Sequence, residues 1–120
     1  MVLVDTNIWI NHFRKTNSVL VDLLNQWSVA CHPFIIGEMA CGNLKNRKEI
    51  LSLFQALPST IVVEDDEILE FVESRKLMGK GLGLVDIHIL ASAVLSGVVL
   101  WTGDKRLAQA AEDLGVSDKR

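Results

Sequence analysis

The sequence predicts an α/β sandwich built on a mostly parallel sheet. Short apolar runs at residues 2–4, 29–31, 60–63 and 98–101 alternate with longer stretches of helical periodicity. Parallel strands need crossover connections, and the intervening helices supply them. The chain has 120 residues, 49% hydrophobic and 22% charged, which fits one globular domain spanning 1–120 and excludes a disordered chain. Pro33 and Pro58, the only prolines, both fall at junctions between elements.

Residues 2–4 form a buried strand that ends at Asp5, and 6–13 read as a helix with Ile8, Trp9 and Phe13 apolar. Residues 19–27 are helical, because Leu20, Leu23, Leu24 and Trp27 recur at one-face spacing. The strand at 29–31 leads to Pro33, which suits the first turn of a helix over 34–41 closed by Gly42. A helix over 44–57 is stopped by Pro58, and the β-branched run 60–63 reads as a third strand. Residues 66–78 form an amphipathic helix, and 79–83 form a glycine-rich loop. The strongly apolar segment 85–95 is a helix closed by Gly97, followed by a strand at 98–101 and a last helix at 105–114.

Twelve basic and fifteen acidic residues give a net charge of −3, which excludes a globally basic nucleic-acid binder but allows a local basic patch. Cys31 and Cys41 fit neither a disulfide framework nor a CxxC metal pair, and read as reduced, partly buried thiols. A charge appears at Asp5, so no signal peptide is expected at the start of the sequence. The longest apolar stretch, 87–101, is interrupted by His88, Ser92, Ser96 and Gly97 and is too polar to span a membrane. A cytoplasmic protein is the expectation.

In open α/β sheets the functional crevice lies outside the carboxyl ends of the strands. Asp5 follows the first strand, and Asp104 lies just beyond the last. Asp86 opens the most apolar helix, and Glu38 lies mid-helix among Ile36, Met39 and Ala40. Taken singly, each Asp serves well as a helix cap or first-turn charge. Glu38 is expected to face the protein and to need a partner. If the four converge, ionised pairs about 4 Å apart repel by roughly 4 kcal/mol at an effective dielectric of 20. A hard divalent cation, Mg²⁺ or Mn²⁺, is the usual neutraliser.

Four blocks carry a resemblance: Val4-Asp5-Thr6-Asn7-Ile8-Trp9-Ile10, Ile36-Gly37-Glu38-Met39-Ala40-Cys41-Gly42, Gly83-Leu84-Val85-Asp86-Ile87-His88 and Leu100-Trp101-Thr102-Gly103-Asp104-Lys105-Arg106-Leu107. In this order they resemble PIN-domain ribonucleases, most closely the VapC toxins of bacterial toxin–antitoxin pairs. The resemblance implies a PIN-like three-layer sandwich with a sheet of four to five strands, the last an edge strand that is very short here. It also implies a catalytic quartet of Asp5, Glu38, Asp86 and Asp104, with Asp5, Asp86 and Asp104 binding Mg²⁺ or Mn²⁺ and Thr102 supporting the metal site. Asn7 would orient the first carboxylate, its ordinary alternative being an Asx-turn cap. Further implications are RNA hydrolysis, a homodimer, and a small antitoxin that covers the crevice. Trp9 and Phe13 would lie near a groove for that partner.

Lys105 and Arg106 adjoin Asp104 and are candidates for RNA phosphate contact. The clusters at Arg14-Lys15 and Lys45, Arg47, Lys48 read as solvated faces. The loop 79–83 lacks the GK[ST] of a P-loop, and His12, His32 and His88 have no metal-ligand spacing. Two rival readings are a receiver-like Mg²⁺-binding phospho-acceptor domain and a non-catalytic PIN scaffold. A receiver needs an acidic pair after its first strand. Here Asp5 stands alone, and Asp65-Asp66 follow the third.

Overall fold

The computed structural model describes residues 1–118. In chain order the elements are β1 (Val2–Val4), α1 (Thr6–Arg14), α2 (Ser18–Asn25), β2 (Val29–Ala30), α3 (Pro33–Cys41), α4 (Arg47–Ala56), α5 (Asp65–Arg75), α6 (Leu84–Ser96), β3 (Val99–Trp101) and α7 (Lys105–Asp113). The sheet order is β2-β1-β3 and every pair is parallel. Val2 pairs with Val29 on one side and Val99 on the other, which fixes the register. Leu3, Val4, Val29 and Leu100 are almost wholly buried, as expected for a sheet covered on both faces.

Helices α1, α3 and α4 pack along one chain of contacts, and α5, α6 and α7 along another; together they flank the sheet. In α6 every residue from Ile87 to Ala93 is buried, so the helix runs through the core, as its all-round apolarity requires. His32 caps α3: its Nδ1 accepts the Phe34 N–H at 2.9 Å. Burial, reinforced by nearby His88, lowers the His32 pKa to about 4, so the ring stays neutral and able to accept.

Residues 60–63 do not form a strand. The sheet continues there only as a parallel bridge between Cys31 and Ser59, with Cys31 N–H donating to Pro58 and Thr60 N–H donating to Cys31. The ladder stops because α3 begins at Pro33, leaving no extended backbone for residues 61–63 to pair with. Ile61 and Val62 are consequently exposed, and Ile61 N–H is taken up by the Ser96 hydroxyl at 2.8 Å. The opposite edge is also a single bridge, Leu100 to Ser117. Among the described residues the sheet thus has three strands extended by one residue pair at each edge.

Two helix boundaries also depart from the periodicity. Asn46 adopts a left-handed conformation (φ 54°), so α4 starts at Arg47 and not at 44. The Arg47 guanidinium reaches back to the carbonyls of Gly42 and Ala40 and ties down the connecting loop. Lys76, also left-handed, ends α5 ahead of the expected 78. Among the described residues no helix is long and apolar enough to cross a membrane.

Candidate active site

Because the strands are parallel, β1 and β3 end on the same rim. The chain leaves β1 to one side for β2 and returns to the other side for β3, so the gap between β1 and β3 is a topological switch point. Asp5 stands at that gap: its backbone N–H extends the ladder to the Trp101 carbonyl at 2.9 Å. It is also buried, at 7% exposure.

A directed hydrogen-bond network holds Asp5. Thr102 Oγ1 donates to Asp5 Oδ2 at 2.8 Å, across the two strand ends. The same hydroxyl accepts from the Asp104 N–H at 3.1 Å and from Asn7 Nδ2 at 3.3 Å. Asn7 Nδ2 also reaches Asp5 Oδ2 at 3.4 Å, and Asn7 Oδ1 accepts the Gly103 N–H at 2.8 Å. A Cβ on Gly103 would come within 3.3 Å of Asn7 Oδ1, so glycine keeps this approach open. Asn7 therefore spends its amide across the sheet, not on an Asx turn.

Each of the other carboxylates has one oxygen fixed to the protein. Asp104 Oδ1 caps α7, accepting from Arg106 and Leu107 N–H at 2.9 and 3.1 Å. Asp86 Oδ2 accepts the Gly83 N–H at 3.0 Å at the start of α6. Glu38 Oε1 accepts the Thr6 hydroxyl at 2.9 Å, and Thr6 N–H donates to Asp5 Oδ1 at 2.8 Å. Thr6 thus links Glu38 to Asp5, a contact spanning 32 residues that sequence reading missed. The expectation that Glu38 is buried is corrected: α3 turns it outward, exposed, with Thr6 as its partner. Capping and a second role are compatible, since among the described residues Asp104 Oδ2, Asp86 Oδ1 and Glu38 Oε2 accept no hydrogen bond.

The electrostatics are one-sided. Burial raises the Asp5 pKa above its ordinary value, the Thr102 and Thr6 hydrogen bonds pull it down, and the charges of Asp86 and Asp104 raise it again. Both carboxylates are therefore close enough to act on Asp5. Among the described residues no Lys, Arg or His nitrogen lies within 4.0 Å of any of the four; the one such ion pair is His88 with Asp65, at 3.8 Å. As they lie, no three His, Cys, Asp or Glu side chains among the described residues are grouped closely enough to hold one ion. The donor set nevertheless suits a hard cation: carboxylate oxygens with free lone pairs around an uncompensated charge.

Lys105 and Arg106 are exposed beside Asp104. Arg106 lies across the loop at Gly81 (φ +74°), where a Cβ would fall 2.3 Å from Nη1. Glycine is needed there for the backbone conformation; the exposed, flexible Arg106 side chain can yield space.

The PIN domain model matches residues 2–113. The chain belongs to the PIN-domain family. Over 118 residues it is 45% identical to Ribonuclease VapC32 of Mycobacterium tuberculosis, with the same figures in strains CDC 1551 / Oshkosh and ATCC 25618 / H37Rv. That alignment covers 98% of this chain and 95% of the relative. Within the PIN family the chain is VapC-like, and the receiver reading is not favoured. Asp65, of the acidic pair that follows residues 60–63, sits at the exposed start of α5 facing His88, away from the end of β1 where a receiver would need such a pair. His88 is buried in this PIN domain, Cys31 is buried and Cys41 is exposed. Cys41 thereby departs from the expectation of two partly buried thiols. Burial pushes the Cys31 thiol up to about 11, which keeps it protonated and unreactive.

Proposed function

We infer that this PIN domain is a VapC-type toxin, an endoribonuclease that hydrolyses phosphodiester bonds in single-stranded or loop RNA. The observation that carries it is the uncompensated group of carboxylates at the switch point, around a buried Asp5 whose every partner is a donor. Asp5, Asp86 and Asp104 would hold Mg²⁺ or Mn²⁺, which when bound lowers the pKa of water and stabilises charge developing on phosphate. The Thr102 and Thr6 hydrogen bonds favour the ionised form of Asp5 against its burial, and Thr102 and Asn7 orient it by donating to the same oxygen. Glu38, anchored on Thr6, presents its free Oε2 as an acceptor for a proton of the attacking water. Lys105 and Arg106 contact substrate phosphates beside Asp104.

A small antitoxin is the second partner. A groove of about 350 Å³ lies between α1, α2 and α4, lined by Trp9, Phe13, Trp27, Leu53 and Phe54 among others. Trp27 and Leu53 are 73% and 59% exposed, a surface suited to an amphipathic helix. An Arg or Lys carried by that partner would neutralise the carboxylates. Trp9 itself belongs to the core, so Phe13 and Trp27 provide most of the exposed aromatic contact. The working form is a cytoplasmic homodimer. Incubation of the purified protein with a defined RNA, with Mg²⁺, Mn²⁺ or EDTA, tests the reading. Internal cleavage that requires the metal is expected, and none under any condition refutes it.

A further inference from the structure

A second cleft opens beside Glu38, on the side of α1 facing the α3–α4 connection, with a volume of about 550 Å³. That size lies within the usual range of ligand pockets, roughly 300–1,000 Å³. Glu38 stands in its wall, so the cleft is continuous with the carboxylate group through the Glu38–Thr6–Asp5 contacts. Met39 and Ile50 give it an apolar floor.

Four polar side chains of its rim have no hydrogen-bond or ion-pair partner among the described residues. Arg14 and Lys45 line the cleft and, among the described residues, neither forms an ion pair or donates a hydrogen bond. The side-chain amides of Asn43 and Asn46 line it too, likewise without a hydrogen-bond partner among the described residues; Asn46 does not cap α4. Phe13, 41% exposed overall, also lines this cleft, at its junction with the groove between α1, α2 and α4. An acidic protein that places two free cations, two free amides and an exposed aromatic ring along one cleft matches the chemistry of a single-stranded nucleic acid. Cations take phosphates, amides read base edges, and an aromatic face stacks a base.

We propose that this cleft is a nucleotide-binding subsite, taking the RNA segment that flanks the scissile phosphate on the Glu38 side. Arg14 and Lys45 bind its phosphates, Phe13 stacks a base, and Asn43 with Asn46 sets a base preference. The proposal rests on the ribonuclease reading, and adds where the strand runs and which residues select it. It also gives the Arg14 and Lys45 clusters a role beyond solvated charge.

Cleavage kinetics on a randomised single-stranded RNA pool, with the cut sites sequenced, test it. The variants are Arg14→Ala/Lys45→Ala, Asn43→Ala, and Arg75→Ala/Lys76→Ala, which removes equal charge at the end of α5, away from the cleft. The first should raise KM about 10-fold with kcat within about twofold, as loss of uniform binding does. It should also flatten the slope of log KM on log salt by about 1.4, at roughly 0.7 per single-strand phosphate contact. Asn43→Ala should relax the base preference at one position beside the cut, with melting temperature unchanged. A KM equal to that of the Arg75→Ala/Lys76→Ala control overturns the proposal. So does an Arg14→Ala/Lys45→Ala variant that loses only its antitoxin, since the cleft is then a protein groove. Photocrosslinking of the same RNA carrying 4-thiouridine separates the two levels. Crosslinks in residues 10–15 and 42–50 support the subsite even if wild type cuts nothing and the ribonuclease reading falls. Crosslinks elsewhere, or none, overturn the subsite even if cleavage is robust.

Discussion

Thr102→Val is the sharpest perturbation of the Asp5 network. The substitution keeps the β-branched shape of the side chain and removes one hydroxyl. That hydroxyl donates to Asp5 Oδ2 at 2.8 Å and accepts from Asp104 N–H and Asn7 Nδ2. A hydrogen bond to a charged group contributes about 1.5–3 kcal/mol. The two stranded donors lie near the rim, where water replaces most of what is lost, so the expected loss is about 2–3 kcal/mol at neutral pH without metal. For a domain of this size that is a fall of roughly 8–12 °C in melting temperature. The sign with pH follows from Asp5. Its folded pKa is raised, so the stability it contributes is full below the unfolded value and is lost as pH climbs through the folded one. Ionised Asp5 therefore costs the metal-free fold stability at neutral pH, and Thr102 limits that cost. Without the hydroxyl the pKa rises further and the deficit is largest at neutral pH. It shrinks as acid protonates Asp5. Thr102→Ser, which retains the oxygen, should cost less than about 1 kcal/mol. Urea denaturation of both variants in EDTA from pH 7.5 down to 4.5 measures this. Equal stability of the Val and Ser variants, or a Val deficit independent of pH, would refute the network as the support of an ionised Asp5.

Four further outcomes are expected. Asp5→Asn or Asp86→Asn should abolish metal-dependent RNA cleavage with the far-UV circular dichroism spectrum unchanged; unaltered cleavage by either removes it from the metal site. Mn²⁺ at about 100 times its Kd should stabilise wild type by about 2.7 kcal/mol, and Asp104→Asn, which still caps α7, much less; equal metal response in a thermal melt leaves Asp104 only a cap. Gly81→Ala and Gly79→Ala should each destabilise by about 1–2 kcal/mol, since both glycines have positive φ and the exposed Arg106 side chain can swing off Gly81; a larger Gly81→Ala deficit in calorimetry, abolished by adding Arg106→Ala, counts against this. The lowered His32 pKa makes its contribution full above pH 6.5 and lost as pH falls toward 4, so His32→Asn should flatten the stability profile across that window by up to about 3 kcal/mol; a profile as steep as wild type counts against a neutral His32 cap.

The sequence by itself determined the fold class and the order of most elements. Strand–helix alternation with buried apolar runs admits few other arrangements, and the residue after each parallel strand is a functional position whatever the family. It also marked Asp5, Glu38, Asp86 and Asp104 as candidate site residues, because they sit in recognisable blocks. It misplaced the strand at 60–63, since β propensity in Ile61, Val62 and Val63 reports a preference, whereas pairing depends on a neighbour that α3 removes by turning away at Pro33. It misjudged Glu38 for a related reason: apolar neighbours in sequence do not say which helix face meets the core. The tertiary structure alone decided the contacts between residues far apart in the chain. Thr102 reaches Asp5 across 97 residues, Asn7 reaches Gly103 across 96, and Arg106 covers Gly81. Local spacing fixes the direction of a side chain relative to its own element, and the partner it meets is set by how parallel strands bring distant chain segments to one rim.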